Sequence, residues 1–405
     1  MVEGAPEGHG PVRYGPPAPE AGLPALPALV EILADAARTR ITPEPPGGGL
    51  ALRTAAAGYF ERRGLSTTAD RIAVGPGAPA LLLALLGATS GEVLVPRPSP
   101  AWWAPQIRML GRRVHHVATP AECGGIPDPF ALLETVRRIR DEGGRPRVLV
   151  LSPADDPTAT VAPPEALRET CEAAADADLF VISDETWRDT LFGPHRLTVS
   201  PASLVPERTV VLVGLGGAVM PAGWPVAVAR FPAGSARART LDVLTAMGHG
   251  PAGPVAEVAA FALDDPPEVR RRAVDAARLY GVLGGAAHRL LTRAGALARP
   301  PRCGRHLYAD LGPFRATLAR RGVTDAMELE DWLGDRLGVP TPGGHRFGDD
   351  LGALRVRLST GLLLGADPGG RARALGAPDP LDLPAVGAGL GAWSEVLDDL
   401  RRDGR

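Results

Sequence analysis

The 405-residue sequence predicts an α/β fold: a large domain with a mainly parallel sheet covered by helices, and a smaller α+β domain. Three observations carry the α/β class. Short unbroken runs of Val, Leu and Ile alternate with helical stretches, the pattern of strands buried on both faces. The chain is too long for a single compact pair of layers. From about residue 276 the alternation gives way to long helices mixed with "RHLYADL" and "LRVRLST". The expected division is an N-terminal arm over 1–50, a large domain over 51–275 and a small domain over 276–405.

The elements follow in order. The arm is rich in Pro and Gly around one helix, "LPALVEILADAARTR". "LALRTAAAGYFERRG" opens the large domain as a helix, "RIAV" is a strand, and "GPGAPALLLALLGA" turns into an apolar helix. Next come strand "EVLVP", helix "AWWAPQIRMLG" and strand "RRVHHVA", where His115 and His116 face opposite sides and read as structural. "DPFALLETVRRIRDEG" is an amphipathic helix, followed by strand "RVLVLS", helix "PPEALRETCEAAADA" and strands "LFVISDE" and "TVVLVGL". In "VVLVGLGGAVMPAGWPVAVA", residues 210–229, a buried strand passes through a glycine turn into a second strand.

Composition excludes several classes. Net charge of −2 gives no footprint for nucleic acid or anionic membrane, and no apolar run has membrane-spanning length. The N-terminus lacks a basic-then-apolar leader pattern, so a cytoplasmic location is expected. Cys123, Cys171 and Cys303 are few and widely spaced, and neither a disulfide framework nor a metal site is expected from them. The sequence contains no lysine: all 44 basic residues are arginine, whose guanidinium cannot form a Schiff base.

"DDPTATV", "VISDETWRDTLF", "PGGHRFGDD" and "VRLS" stand in that order along the chain. Together they resemble the class I/II aminotransferases, fold-type-I enzymes that use pyridoxal phosphate, and the resemblance covers nearly the whole chain. It implies that Asp184 matches the aspartate on the pyridine nitrogen and Arg357 the arginine that grips a substrate carboxylate. Gly77 and Ala78 keep backbone amides at a helix N-terminus, where an anion can bind. Other positions depart from the family. Gly217 stands where the cofactor-anchoring lysine is expected, Gly214 where a phosphate-binding serine is, and Pro225 where an arginine is. Trp187 replaces a tyrosine, Asp156 an asparagine, Pro100 an aromatic residue, and Pro43 a tyrosine lent by a partner subunit.

Further candidates for ligand binding are Trp103, His249 and His345; Trp102, Trp103 and Trp187 are expected to line the cofactor cavity. With the lysine position lost, no covalently bound cofactor is expected, although pyridoxal phosphate is the family's. The favoured functional expectation is a repurposed, cofactor-independent biosynthetic enzyme acting on a carboxylate-bearing small molecule. A non-catalytic partner or ligand-binding subunit of an active homologue is the alternative, and residual transaminase-like activity the third reading. A homodimer, or a heterodimer with an active homologue, is expected, without metal, nucleic acid or membrane.

Overall fold

The computed structural model describes residues 14–17, 19–193, 198–217, 219–248 and 250–402. His249 therefore lies outside the described residues. Helices α1 (Pro27–Thr39) and α2 (Leu50–Glu61) precede strand β1 (Ile72–Gly75). Then α3 (Ala78–Gly87), β2 (Glu92–Arg97), α4 (Trp103–Met109), β3 (Val114–Ala118), α5 (Pro129–Asp141), β4 (Pro146–Leu151), α6 (Pro164–Asp176) and β5 (Phe180–Asp184) alternate as the sequence predicts. The short α7 (Pro201–Leu204) leads into β6 (Thr209–Gly214) and β7 (Ala227–Arg230), followed by α8 (Ala236–Ala246) and α9 (Gly253–Leu263).

These strands form one seven-stranded sheet in the order β1-β7-β6-β5-β4-β2-β3. The neighbours from β3 across to β6 are parallel, and β7 is antiparallel to both β6 and β1. Local chemistry sets several helix starts. Asp128 caps α5 by accepting from the Ala131 amide at 2.8 Å, with Pro129 at the first helical position. α3 begins from Gly77 at φ +96°, a conformation that a side chain would strain. Apolar cores cover both sheet faces: Leu81, Leu82 and Leu85 of α3 with Val93 and Val150, and Leu132, Val136 and Leu167 of α5 and α6 with Leu94 and Leu149.

The 28-residue α10 (Pro267–Ala294) runs unbroken through the boundary expected at 275/276. Beyond it, β8 (Leu297–Ala298) and β9 (His306–Asp310) precede α11 (Arg315–Arg320) and α12 (Ala326–Leu337). β10 (Arg355–Ser359), α13 (Pro368–Gly376) and α14 (Pro384–Arg402) complete the small domain. Its antiparallel sheet has the order β10-β9-β8. Leu307, Ala309, Val356 and Leu358 share a core with Leu329, Leu333, Trp393 and Leu397 of α12 and α14.

Candidate functional site

The carboxyl ends of parallel strands, and the loops that leave them, form the natural place for a site in such a sheet. Here β5 ends on Asp184, β6 on Gly214, and the turn after β1 carries Gly77 and Ala78. The structure brings these together. A Cβ built on Gly214 would lie 3.2 Å from the Ala78 Cβ and 3.2 Å from Thr186 Oγ1. One built on Gly77 would lie 3.2 Å from Pro225. The positions chosen from the sequence thus converge at the N-terminus of α3.

Asp184 is 5% exposed. Its Oδ1 accepts from the Thr186 hydroxyl at 2.6 Å and the Thr186 amide at 3.1 Å. The Gly214 amide in turn donates to the Thr186 hydroxyl at 2.9 Å. Burial pushes the Asp184 carboxyl up to about 6, against the two Thr186 hydrogen bonds. Among the described residues, no arginine or histidine lies within ion-pair distance of it.

Trp187 occupies the space beside Gly217. A Cβ on Gly217 would lie 3.5 Å from Trp187 Cζ3, and one on Gly304 would lie 3.2 Å from Trp187 Cε3. The indole also meets the His306 ring edge to face, with centroids 5.5 Å apart.

The small domain supplies the other wall through its strand register. Arg357 stands opposite Tyr308 and Ser359 opposite His306, so residues 306, 357 and 359 share one face of the sheet. Arg357 Nη1 donates to both carboxylate oxygens of Asp156, at 3.1 and 3.2 Å. His306 Nδ1 lies 3.3 Å from Asp156 Oδ1. Burial alone would raise the Asp156 carboxyl, yet Arg357 and His306 hold it well below the usual carboxylate range. Its neighbour Asp155 is fully buried without such a cation, and burial pushes it well above that range despite a 2.5 Å bond from the Thr158 hydroxyl.

Two sequence candidates are corrected. Trp103 is fully buried in the core with α3 and β2, edge to face with Trp102; it fills the large domain rather than lining the cleft. Its position on the first turn of α4 points an apolar ring inward, as helix packing demands. His345 is buried beside Glu330 at 3.9 Å and against the Tyr14 ring, a small-domain network apart from the Asp156–Arg357 pair. Sequence reasoning missed Glu20, Thr186, Arg305 and His306. For His306 the signal was its place on "RHLYADL", a strand pairing with the one that carries Arg357.

The chain matches a known group in sequence and in fold. Residues 18–280 match the family described as "Aminotransferase class I and II". A probable aspartate/prephenate aminotransferase of Thermus aquaticus is 33% identical over 193 residues, 46% of this chain and 48% of that protein, so the match spans about half of its length. The arginine–pyruvate transaminase of Pseudomonas aeruginosa is 30% identical over 334 residues, covering 79% of this chain and 78% of that one. Among solved structures, aspartate aminotransferase of Thermus thermophilus with maleate superposes with a TM-score of 0.73 at 24% identity, over 90% of this chain and 89% of that chain. Aromatic aminotransferase of Pyrococcus horikoshii superposes with a TM-score of 0.76 at 22% identity, over 95% and 94%. These two likenesses establish the fold.

They also correct the favoured functional expectation. Relatives matched in sequence are named as aminotransferases, which points to amino-group transfer and away from a cofactor-independent enzyme repurposed for other chemistry. With the seven-stranded sheet, the converging loops and the family match over residues 18–280, the chain belongs to the class I and II aminotransferases.

Proposed function

We propose that this chain acts in amino-group transfer between amino acids and oxo acids, and that it holds its cofactor without a covalent bond. The relatives' named activities support the first part. The second rests on the sequence: with no lysine, no side chain can tether the cofactor as an imine. Gly217 stands at the position where the resemblance expects the tether.

Asp184 is the observation that carries the reading. A buried carboxyl raised to about 6, with no cation beside it, fits a protonated ring nitrogen. The first-turn amides of Ala78 and Ala80 in α3 fit a phosphate, whereas Pro79 has no N–H and the Gly77 amide donates to the Gly75 carbonyl at 2.9 Å. Pyridoxamine phosphate therefore fits in untethered form, with weaker phosphate binding where Pro225 backs the turn. When bound, it supplies the transferable amine and the electron sink.

The chain's own residues do the rest. Arg357 pairs with the substrate carboxylate, Trp187 excludes water from the wall over Gly217 and Gly304, and His306 backs both Trp187 and Asp156. The proposed assembly is a two-fold dimer through the large domain and the arm, supported by the exposed Ile41 and Leu50. Light scattering at micromolar concentration tests it.

The test of function is a single turnover. Protein mixed with pyridoxamine phosphate and pyruvate should yield alanine in stoichiometric amount, while borohydride fixes no cofactor to any side chain. Asp184→Asn should weaken cofactor binding on the order of tenfold. Absence of both pyridoxamine phosphate binding and alanine overturns the reading.

A further inference from the structure

Two arginines and a histidine on the small domain face one acid that comes from far away in sequence. Glu20, in the N-terminal segment, lies with Oε2 3.4 Å from Arg305 Nε and Oε1 3.8 Å from both Arg357 Nη2 and His306 Nε2. All three separations exceed the about 2.7–2.9 Å of a charge-assisted hydrogen bond. The short bond to this carboxylate comes from the Ser359 hydroxyl, at 2.5 Å. Arg357 Nε, Arg305 Nε and His306 Nε2 are buried without a hydrogen-bond partner. Arg357 is 8% exposed and His306 5%. A buried donor left unmade is costly, so the pocket holds more donor capacity than Glu20 uses.

The segment carrying Glu20 is tied down through its backbone. Arg371 Nη1 donates to the carbonyls of Ala21 and Gly22 at 2.9 and 3.2 Å, and Arg272 Nη2 to that of Pro24 at 2.5 Å. Leu23 is buried against Ala276, Leu279 and Leu364. A Cβ on Gly22 would lie 3.2 Å from Ala222, on the loop between β6 and β7. The segment therefore spans from the small domain to the loop that follows Gly217.

We propose that residues 19–24 form an inhibitory strap, in which the Glu20 carboxylate holds the place of a ligand carboxylate among Arg305, His306 and Arg357. The ligand class is a small mono- or dicarboxylate. Its carboxylate displaces Glu20 and takes the unused N–H groups, and the strap lifts from Ser359. Asp156 keeps its bonds to Arg357 Nη1 and His306 Nδ1 throughout, so among these donors one carboxylate is exchanged for another. The inference deepens the reading of Arg357 as the carboxylate grip, and it concerns binding alone.

Succinate, titrated calorimetrically into the full chain without cofactor, tests it independently of amino transfer. Glu20→Gln should bind succinate at least tenfold tighter than wild type. Ser359→Ala, which keeps the Glu20 charge but removes its short bond, should also bind tighter. Adding Arg357→Ala to Glu20→Gln should abolish the gain. In wild type, saturating succinate should speed amide hydrogen exchange over residues 19–24. Equal succinate affinity in wild type, Glu20→Gln and Ser359→Ala overturns the strap, as does unchanged exchange in that segment. If instead the single-turnover test fails while these gains appear, the strap stands and the amino-transfer reading falls.

Discussion

At Asp184, burial and hydrogen bonding oppose each other, and the outcome is a pH dependence of stability. Its carboxyl is raised to about 6 in the fold, against about 3.9 in an unfolded chain. The unfolded state therefore sheds the proton first as pH rises. Stability from this group is fully present below about pH 4, falls between about pH 4 and 6, and stays lost above. A shift of this size corresponds to about 3 kcal/mol at neutral pH. Asp184→Asn keeps an oxygen for both Thr186 bonds and removes the charge. Its melting temperature should match wild type near pH 4 and exceed it by a few degrees, on the order of 2–4 °C, at pH 7.5. Parallel melting curves for the two proteins at every pH would show that the carboxyl is not held up. Glu20 and Asp156 behave oppositely: despite burial, nearby cations hold both down, so their contribution is lost as the solution is made acid.

The loop between β6 and β7 is the element that decides how a cofactor can be held. Gly217 has room for a Cβ, since the Thr186 carbonyl and the Trp187 ring would each lie at 3.5 Å, ordinary contact. A longer side chain meets the indole, which also lies against Gly304. Gly217→Lys alone should therefore give no adduct that borohydride fixes from pyridoxal phosphate. Combining it with Trp187→Tyr opens the wall, and mass spectrometry should then find the reduced cofactor on residue 217. An adduct of equal yield in the single variant would mean that Trp187 does not block the position. The β9–β10 pair acts at the same scale. Its register puts His306 and Arg357 on one face, and a slip of either strand by one residue would turn that strand's side chain away from Asp156.

Across the whole molecule, α10 ties the two domains. Leu279, Tyr280 and Leu283 pack with Phe192 of the large domain and with Leu364 and Val386 of the small one, while Ala287 and Leu291 join the small-domain core. The strap adds ties from Arg272 on α10 and Arg371 on α13. Neither core can open without exposing a side of this helix. Differential scanning calorimetry should show one cooperative transition for the full chain; two resolved transitions would mean that α10 does not couple the cores. Among the described residues, no helix is long and apolar enough to cross a membrane.

The strand runs, the helix starts and the ends of β5 and β6 were legible in the sequence, because periodicity and capping are local properties. Asp184, Gly217, Gly77 and Ala78 were singled out through the family resemblance, and the fold puts Asp184 at the end of β5 and Gly77 and Ala78 at the start of α3. The absence of lysine is likewise a property of the sequence alone. Tertiary structure decided the rest. Trp103 and His345 looked like ligand contacts beside their motifs, but whether a side chain faces a cleft or a core depends on what packs against it. Arg357 looked free to grip a ligand, and the fold gives it Asp156 and the distant Glu20 as partners. No spacing rule connects residue 20 to residues 305, 306 and 357. Only the docking of the N-terminal segment onto the small domain brings that carboxylate among those side chains, because charge pairing in a fold follows distance in space rather than along the chain.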